Sequence, residues 1–229
     1  MSQNLLKRII TSIILLILLF FINFSHQYIF IFSILILGIV ICIETNNIFS
    51  KLILLQSVNK KSSSKTFNPK FFILNMVTFF YIFFIFCNFS YEFHRSEGPI
   101  FFLYIISICF LTDIGGYVFG KLIGGKKLSK ISPNKTISGT IGSFIFSIIP
   151  LIIFLNLGFL NLEFNSNNIL LCLLVSLISQ LVDLFISYLK RKAKIKDTGK
   201  LLPGHGGLLD RVDGIIFAVP ISYLILNLI

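Results

Sequence analysis

Residues 169–189 read ILLCLLVSLISQLVDLFISYL. At a helical rise of about 1.5 Å per residue, this run crosses the roughly 30 Å hydrocarbon core of a bilayer. It holds a single charge, Asp183, and stops at the basic pair Lys190-Arg191. Further apolar runs lie on either side: Ile9–Phe24, Tyr28–Ile43, Phe71–Phe89, Ile100–Phe119 and Ile141–Leu157 before it, and Ile215–Ile229 after it. Across its 229 residues the chain is 55% hydrophobic and only 13% charged, where a soluble domain carries about 25% charged residues. That is too little charge to cover a surface facing water, so lipid solvates most of the molecule. The expected fold is an all-α, polytopic integral membrane protein with about seven transmembrane helices.

The net charge of +11 would suggest nucleic acid as a partner of a soluble protein, but here the basic residues follow the loops. With the N-terminus in the cytoplasm, inner segments carry Lys7 and Arg8, Lys51–Lys70, the loop 120–140 and the loop 190–214, and of the 20 Lys and Arg residues only Arg95 falls outside. The positive-inside rule asks for this asymmetry. The chain is therefore expected in the cell membrane (the inner membrane in a bacterium), N-terminus inside, with no nucleic-acid partner. Two parts are expected: 1–98, N-terminal transmembrane helices with a basic cytoplasmic linker over Lys51–Lys70, and 99–229, a catalytic membrane domain carrying the two inner loops. The four cysteines, Cys42, Cys87, Cys109 and Cys172, lie in apolar runs without CxxC spacing, which predicts buried thiols rather than a disulfide framework or zinc.

Acids inside apolar runs are costly and normally face a partner, a cavity or a metal. Asp113 and Asp183 each precede the first base of an inner loop by seven or eight residues, a depth of roughly 10–12 Å along a helix. Gly116, Gly120 and Gly124 share the four-residue spacing of close-packed membrane helices. The segment from Gly120 to Lys127 nearly spells a P-loop, but Lys127 stands where a hydroxyl is needed and no strand precedes it.

The chemistry concentrates in residues 187–213, SYLKRKAKIKDTGKLLPGHGGLLDRVD. Asp197, Asp210 and Asp213 alternate there with Lys190, Arg191, Lys196 and Arg211 around Pro203-Gly204-His205-Gly206-Gly207. Acids beside bases in a glycine-rich loop suit a phosphate held through Mg²⁺, with carboxylates on the ion and amides and bases on the phosphate oxygens. Asp183 and Asp210 are the expected metal ligands, and a second, monovalent cation would add Asp197.

This segment resembles the phosphatidate cytidylyltransferases (CDP-diacylglycerol synthases), whose pattern runs S-x-x-K-R, K-D-x-G, P-G-H-G-G and D-R-x-D. Ser187, Lys190, Arg191, Lys196, Asp197, Gly199, Pro203 to Gly207, Asp210, Arg211 and Asp213 stand at its positions. Two upstream blocks agree, Asp113-x-x-Gly116-Tyr117-x-x-Gly120-Lys121 and Ser132-Pro133-x-Lys135-Thr136-x-x-Gly139. The likeness covers roughly residues 113–213. Val182, Ile186 and Ser138 stand where the family carries Gly, Glu and an acid.

The resemblance implies that CTP and phosphatidate give CDP-diacylglycerol and pyrophosphate, with Mg²⁺ as cofactor and a homodimer as the assembly. The implied catalytic residues are Asp183, Asp210, Lys190, Arg191 and His205, the last orienting the loop rather than moving a proton. Substrate contacts are expected from Asp113, Lys135, Thr136, Lys196, Gly204, Gly206, Gly207 and Arg211. The competing readings are a CTP-dependent lipid-alcohol kinase, a cytidylyltransferase for another phospholipid, and an ion-coupled transporter using Asp113 and Asp183.

Overall fold

A computed structural model describes residues 3–59, 69–129, 132, 135–158, 160, 163–204 and 206–228. Its regular elements are helical: α1 (Gln3–Asn23), α2 (Gln27–Asn59), α3 (Pro69–Phe80), a π-helical stretch (Tyr81–Cys87), α4 (Asn88–Ser96), α5 (Gly98–Leu122), α6 (Ile137–Ser147), α7 (Ile149–Leu157), α8 (Ser166–Lys192) and α9 (Leu209–Leu226). Among the described residues the only extended pairings are two isolated antiparallel bridges. Helices are the expected answer to a lipid solvent, since they satisfy each backbone N–H and C=O within the segment. Among the described residues six stretches are long and apolar enough to cross a membrane: Leu6–Asn23, Gln27–Leu55, Pro69–Ser96, Gly98–Leu122, Ile137–Leu157 and Ser166–Lys192. The last apolar run of the sequence lies largely in α9, whose first turns carry Asp210, Arg211 and Asp213.

Three boundaries differ from those read in the sequence. α2 does not end at Ile43: it continues to Asn59 because Ile48 and Phe49 extend its buried stripe, so residues 51–59 are helix rather than linker. Lys70 belongs to α3, and 60–68 lie outside the described residues. The run Phe71–Phe89 does not end the helix there, because α4 follows the π-helical stretch directly and continues to Ser96. The fifth apolar run divides into α6 and α7 ahead of Pro150, whose ring nitrogen has no hydrogen to donate.

By packing, the chain forms two compact units that alternate along the sequence, 1–88 with 189–212, and 89–188 with 213–229. In the first, α2 lies against α3 and the π-helical stretch. Phe30, Ile34, Gly38, Ile41 and Ile48 form its inward stripe at steps of three, four and seven. A Cβ on Gly38 would stand 3.0 Å from Ile82 and 3.1 Å from Cys87, so these helices touch nearly backbone to side chain. α1 exposes Ile13, Ile17 and Phe21, a surface suited to acyl chains.

In the second unit α5 and α6 pack most closely. A Cβ on Gly139 would meet the Gly116 carbonyl oxygen at 2.8 Å, and one on Gly142 the Gly115 oxygen at 2.8 Å. The glycine stripe of the sequence is thus used up within the chain as far as Gly120; Gly124 lies past the end of α5 with φ +65°. Tyr104 is fully buried, its hydroxyl 3.1 Å from the Cys172 thiol and its ring 5.4 Å from that of Phe154. Cys87, Cys109 and Cys172 are buried free thiols, and Cys42 is half-buried.

Gly142→Val places a branched side chain where Phe119 and the Gly115 carbonyl already lie, an overpacking that costs about 1–3 kcal/mol. Thermal unfolding of the purified protein in detergent should show a lowered midpoint for this variant. Ile141→Val, on the exposed face next to it, should leave the midpoint where it is.

Candidate active site

In the first unit α8 ends at Lys192 and the chain turns through Lys194, at φ 54°. It then folds back on itself. Leu202 N–H donates to the Gly206 oxygen at 2.9 Å and Gly206 N–H to the Leu202 oxygen at 3.1 Å, pinching off Pro203 to His205. Gly204 and Gly206 have φ of 79° and 87°, values that side chains with a Cβ rarely adopt. Pro203, Gly204, Gly206 and Gly207 thus belong to a tight reversal with bare backbone leading into α9. His205 itself lies outside the described residues.

Asp210, in the first turn of α9, fastens this reversal. Its Oδ1 accepts from Lys190 Nζ at 2.8 Å, while Oδ2 accepts from Thr198 N–H at 2.8 Å and Gly207 N–H at 3.1 Å. The Asp210 and Lys190 side chains are 8% and 14% exposed. Burial raises the carboxyl pKa, but the hydrogen bond from Lys190, the Thr198 amide, the Lys190 charge and the Gly207 amide outweigh it and hold Asp210 below the ordinary aspartate value. Asp197 approaches from the other side: a Cβ on Gly206 would meet its Cγ at 3.2 Å and the Asp210 Oδ2 at 3.2 Å. Lys196, Arg191 and Arg211 are exposed.

A second carboxylate completes the fastening, and sequence reasoning passed over it. Glu44 of α2 is 4% exposed. It accepts from Thr198 Oγ1 at 2.8 Å, from Leu208 N–H at 3.0 Å and from Leu209 N–H at 2.9 Å. The last two donors open α9, where helix N–H groups have no partner within the helix and favour an anion. Gly199 and Gly207 lie directly against Glu44: a Cβ on either would stand 2.5 Å from one of its oxygens. The available signal was register, since Glu44 follows Ile41 by three and precedes Ile48 by four, on the buried stripe of α2.

The second unit holds Asp113, Lys135, Thr136 and Asp183. Lys135 Nζ makes a tight ion pair with Asp183 Oδ2, and Ser187 Oγ donates to Asp183 Oδ1 at 3.4 Å. Both members of the pair keep access to solvent, at 28% and 30% exposure. Thr136 is the N-cap of α6, its Oγ1 accepting from Gly139 N–H at 3.1 Å. Ser138, at the position where the family pattern has an acid, donates to the Gly124 carbonyl. Asp113 is on an exposed face of α5. The residues singled out from the sequence thus fall into two groups: Lys190, Arg191, Lys196, Asp197, Gly204, Gly206, Gly207, Asp210 and Arg211 in the first unit, and these four in the second. Among the described residues no three His, Cys, Asp or Glu side chains converge as a ready-made metal site.

The sequence model of the cytidylyltransferase family matches residues 43–229. Among curated proteins, the phosphatidate cytidylyltransferase of Staphylococcus haemolyticus (strain JCSC1435) is 45% identical over 136 residues, covering 58% of this chain and 51% of the relative. That of Staphylococcus aureus (strain COL) is 45% identical over 142 residues, 60% and 53% of the two chains. That of Staphylococcus epidermidis (strain ATCC 12228 / FDA PCI 1200) is 44% identical over 135 residues, 58% and 51%. The matched part spans about half the length of these relatives.

Glu44→Ala strips three donors of their acceptor in a buried place, at a cost of about 1–3 kcal/mol for each group left unsatisfied. Amide exchange through residues 197–209 should quicken at least tenfold. Glu44→Gln, which keeps the shape and one acceptor oxygen, should fall between. Acid tests the other clamp. Because the folded Asp210 pKa lies below its unfolded value, its stabilisation is complete above the unfolded value and lost as pH falls through the folded one. Protection of the Thr198 and Gly207 amides, corrected for intrinsic exchange, should decline over that range in the wild type and lose this dependence in Asp210→Asn.

Proposed function

The chain belongs to the cytidylyltransferase family, and on that premise we propose that it transfers CMP from CTP to phosphatidate, forming CDP-diacylglycerol and releasing pyrophosphate. The observation that carries this reading is the loop 196–211, where bare glycine backbone, two aspartates and several cations share one small reversal, in a chain 45% identical over 136 and 142 residues to two relatives named phosphatidate cytidylyltransferase.

The nucleophile needs no base, because a phosphomonoester with a second pKa near 6 is already mostly dianionic at pH 7. What remains is to hold two anions in line and to stabilise the charge that develops on the leaving group. Lys135 and Lys190 are each committed to an aspartate, Asp183 and Asp210. A phosphate that takes the more accessible Lys135 ammonium leaves the Asp183 carboxylate behind, so a cation has to answer the negative charge gathered there, while the more buried Lys190 stays with Asp210 and fixes the loop. Arg191, Lys196 and Arg211 stand exposed and are the further candidates for phosphate contacts. His205 keeps its expected part in orienting the loop.

The donor set fits Mg²⁺, a hard cation that takes one or two carboxylates and completes its shell with substrate phosphates and water. Asp210 Oδ1 accepts one hydrogen bond and keeps a second lone-pair direction. Asp197 is exposed beside Gly206, and among the described residues Asp183 Oδ1 accepts the long bond from Ser187 alone. Asp210 and Asp197 in the first unit and Asp183 in the second are the carboxylates each unit would offer to such an ion. The ion when bound offsets negative charge on the triphosphate oxygens. The placement of both loops in the cytoplasm, where CTP is found, is supported by the positive-inside asymmetry of the sequence. The homodimer is supported by the family resemblance, with the α5–α6 glycines already used within the chain.

The test is a mixed-micelle assay with phosphatidate, Mg²⁺ and CTP labelled at the α-phosphate. Label should enter the lipid with release of pyrophosphate, and Asp183→Asn and Asp210→Asn should each lower kcat at least a hundredfold. Release of CDP with no label in the lipid would instead make the chain a lipid-alcohol kinase.

A further inference from the structure

The first unit contains a cavity of about 650 Å³ lined by polar backbone and by Arg8, Lys196, Lys200, Arg211 and Asp197. Sites for small ligands run from roughly 300 to 1,000 Å³. Four cations face one carboxylate around it, a concentration of positive charge that ion pairing within the wall does not cancel.

Arg8 is the unexpected member. It comes from α1, ahead of residue 43 where the family match begins, and in the sequence it reads only as a charge that orients the first helix. In the structure its Nε–H donates to the Gly204 carbonyl at 2.9 Å, and Thr11, one turn further on, sets its hydroxyl 3.5 Å from the Pro203 carbonyl. α1 is thus latched to the tip of the glycine-rich reversal. A guanidinium has five N–H donors in a planar fork, and the bond to Gly204 uses the Nε–H alone, leaving the two terminal nitrogens for another acceptor. Lys196 and Lys200 are exposed on the same wall.

We propose that Arg8, from a helix outside the family match, is a further phosphate-binding residue of this site, which with Lys196 and Lys200 holds the pyrophosphate end of a nucleoside triphosphate. A pyrophosphate group carries more charge than a single phosphate, which brings about two negative charges at neutral pH, and its two phosphates reach more than one of these cations at once. Arg8 adds a planar fork suited to two phosphate oxygens at once. Because its other bond goes to Gly204, the same side chain ties the position of the bound anion to that of the loop. Assigning the anion to CTP rests on the nucleotidyl-transfer reading; the site's affinity for pyrophosphate does not.

The test is isothermal titration of the full chain in phosphatidylcholine nanodiscs containing EDTA, with inorganic pyrophosphate, CTP and CMP as probes. Pyrophosphate and CTP should bind to the wild type, and R8A should weaken both about tenfold, the cost of a lost charge-assisted contact, with little change for CMP. R8K, which keeps the charge and loses the fork, should recover part of the loss. In turnover, R8A should raise KM for CTP and leave KM for phosphatidate unchanged. Unaltered pyrophosphate affinity in a folded R8A protein overturns the proposal, as does a rise in the phosphatidate KM alone, which would assign the cavity to a lipid headgroup. If R8A fails to fold, K200A on the exposed wall serves in its place, with a several-fold loss expected and no loss overturning. Pyrophosphate binding that persists in a chain releasing CDP would retain the site and reject the transfer reading.

Discussion

Much of the local order in the first unit depends on one buried carboxylate. Glu44 stands on the inward stripe of a membrane helix and accepts the N–H groups that open α9 together with the hydroxyl of Thr198. The loop it holds is rich in glycine, and glycine loses more backbone freedom on ordering than any other residue. Such a reversal does not stay in one conformation through its own contacts. The acid supplies what the sequence of the loop lacks, and it can do so because Gly199 and Gly207 have no side chain to keep it away.

Asp210 repeats the arrangement from within the loop. Thr198 donates its backbone N–H to Asp210 and its hydroxyl to Glu44; Gly207 donates to Asp210 while its two successors donate to Glu44. Two chain segments are thus gripped on both sides by acids whose own charges are answered differently. Asp210 has Lys190 and two amides, and Glu44 has two amides and a hydroxyl. In a medium of low polarity each of those donors would be expensive to leave unpaired, so neither acid can be lost without exposing the partners of the other.

The apolar runs, the acids set among them and the Pro-Gly-His-Gly-Gly reversal were all legible in the sequence, because hydropathy and glycine content are local properties. Partnership is not local. Glu44 and Thr198 lie 154 positions apart, and with the second span ended at Ile43 the acid looked like the first residue of a loop. Lys135 and Lys190 were legible as charges and as candidate phosphate contacts, but nothing in their surroundings gave away that each is matched to an aspartate. Thr136 was legible as a member of a motif; that its hydroxyl caps α6 depends on where that helix starts. Arg8 was the hardest, since a base ahead of a first span has a sufficient explanation in membrane orientation.

The paired and the open charges of the loop differ in function for a physical reason. An ion pair that is mostly buried, such as Asp210 with Lys190, contributes little to an incoming anion because its field is already cancelled nearby and its desolvation has already been met. Cations that keep access to water around a concave wall behave in the opposite way: their fields add, and a cleft with low-dielectric walls focuses them on the ligand. The loop therefore separates its charges by depth. Those that fix its shape are neutralised inside, and Arg8, Lys196 and Lys200 stay open at the cavity, where a polyanion gains most by replacing water. A glycine-rich loop fits here because backbone without side chains lets Glu44 and Asp210 come directly against it.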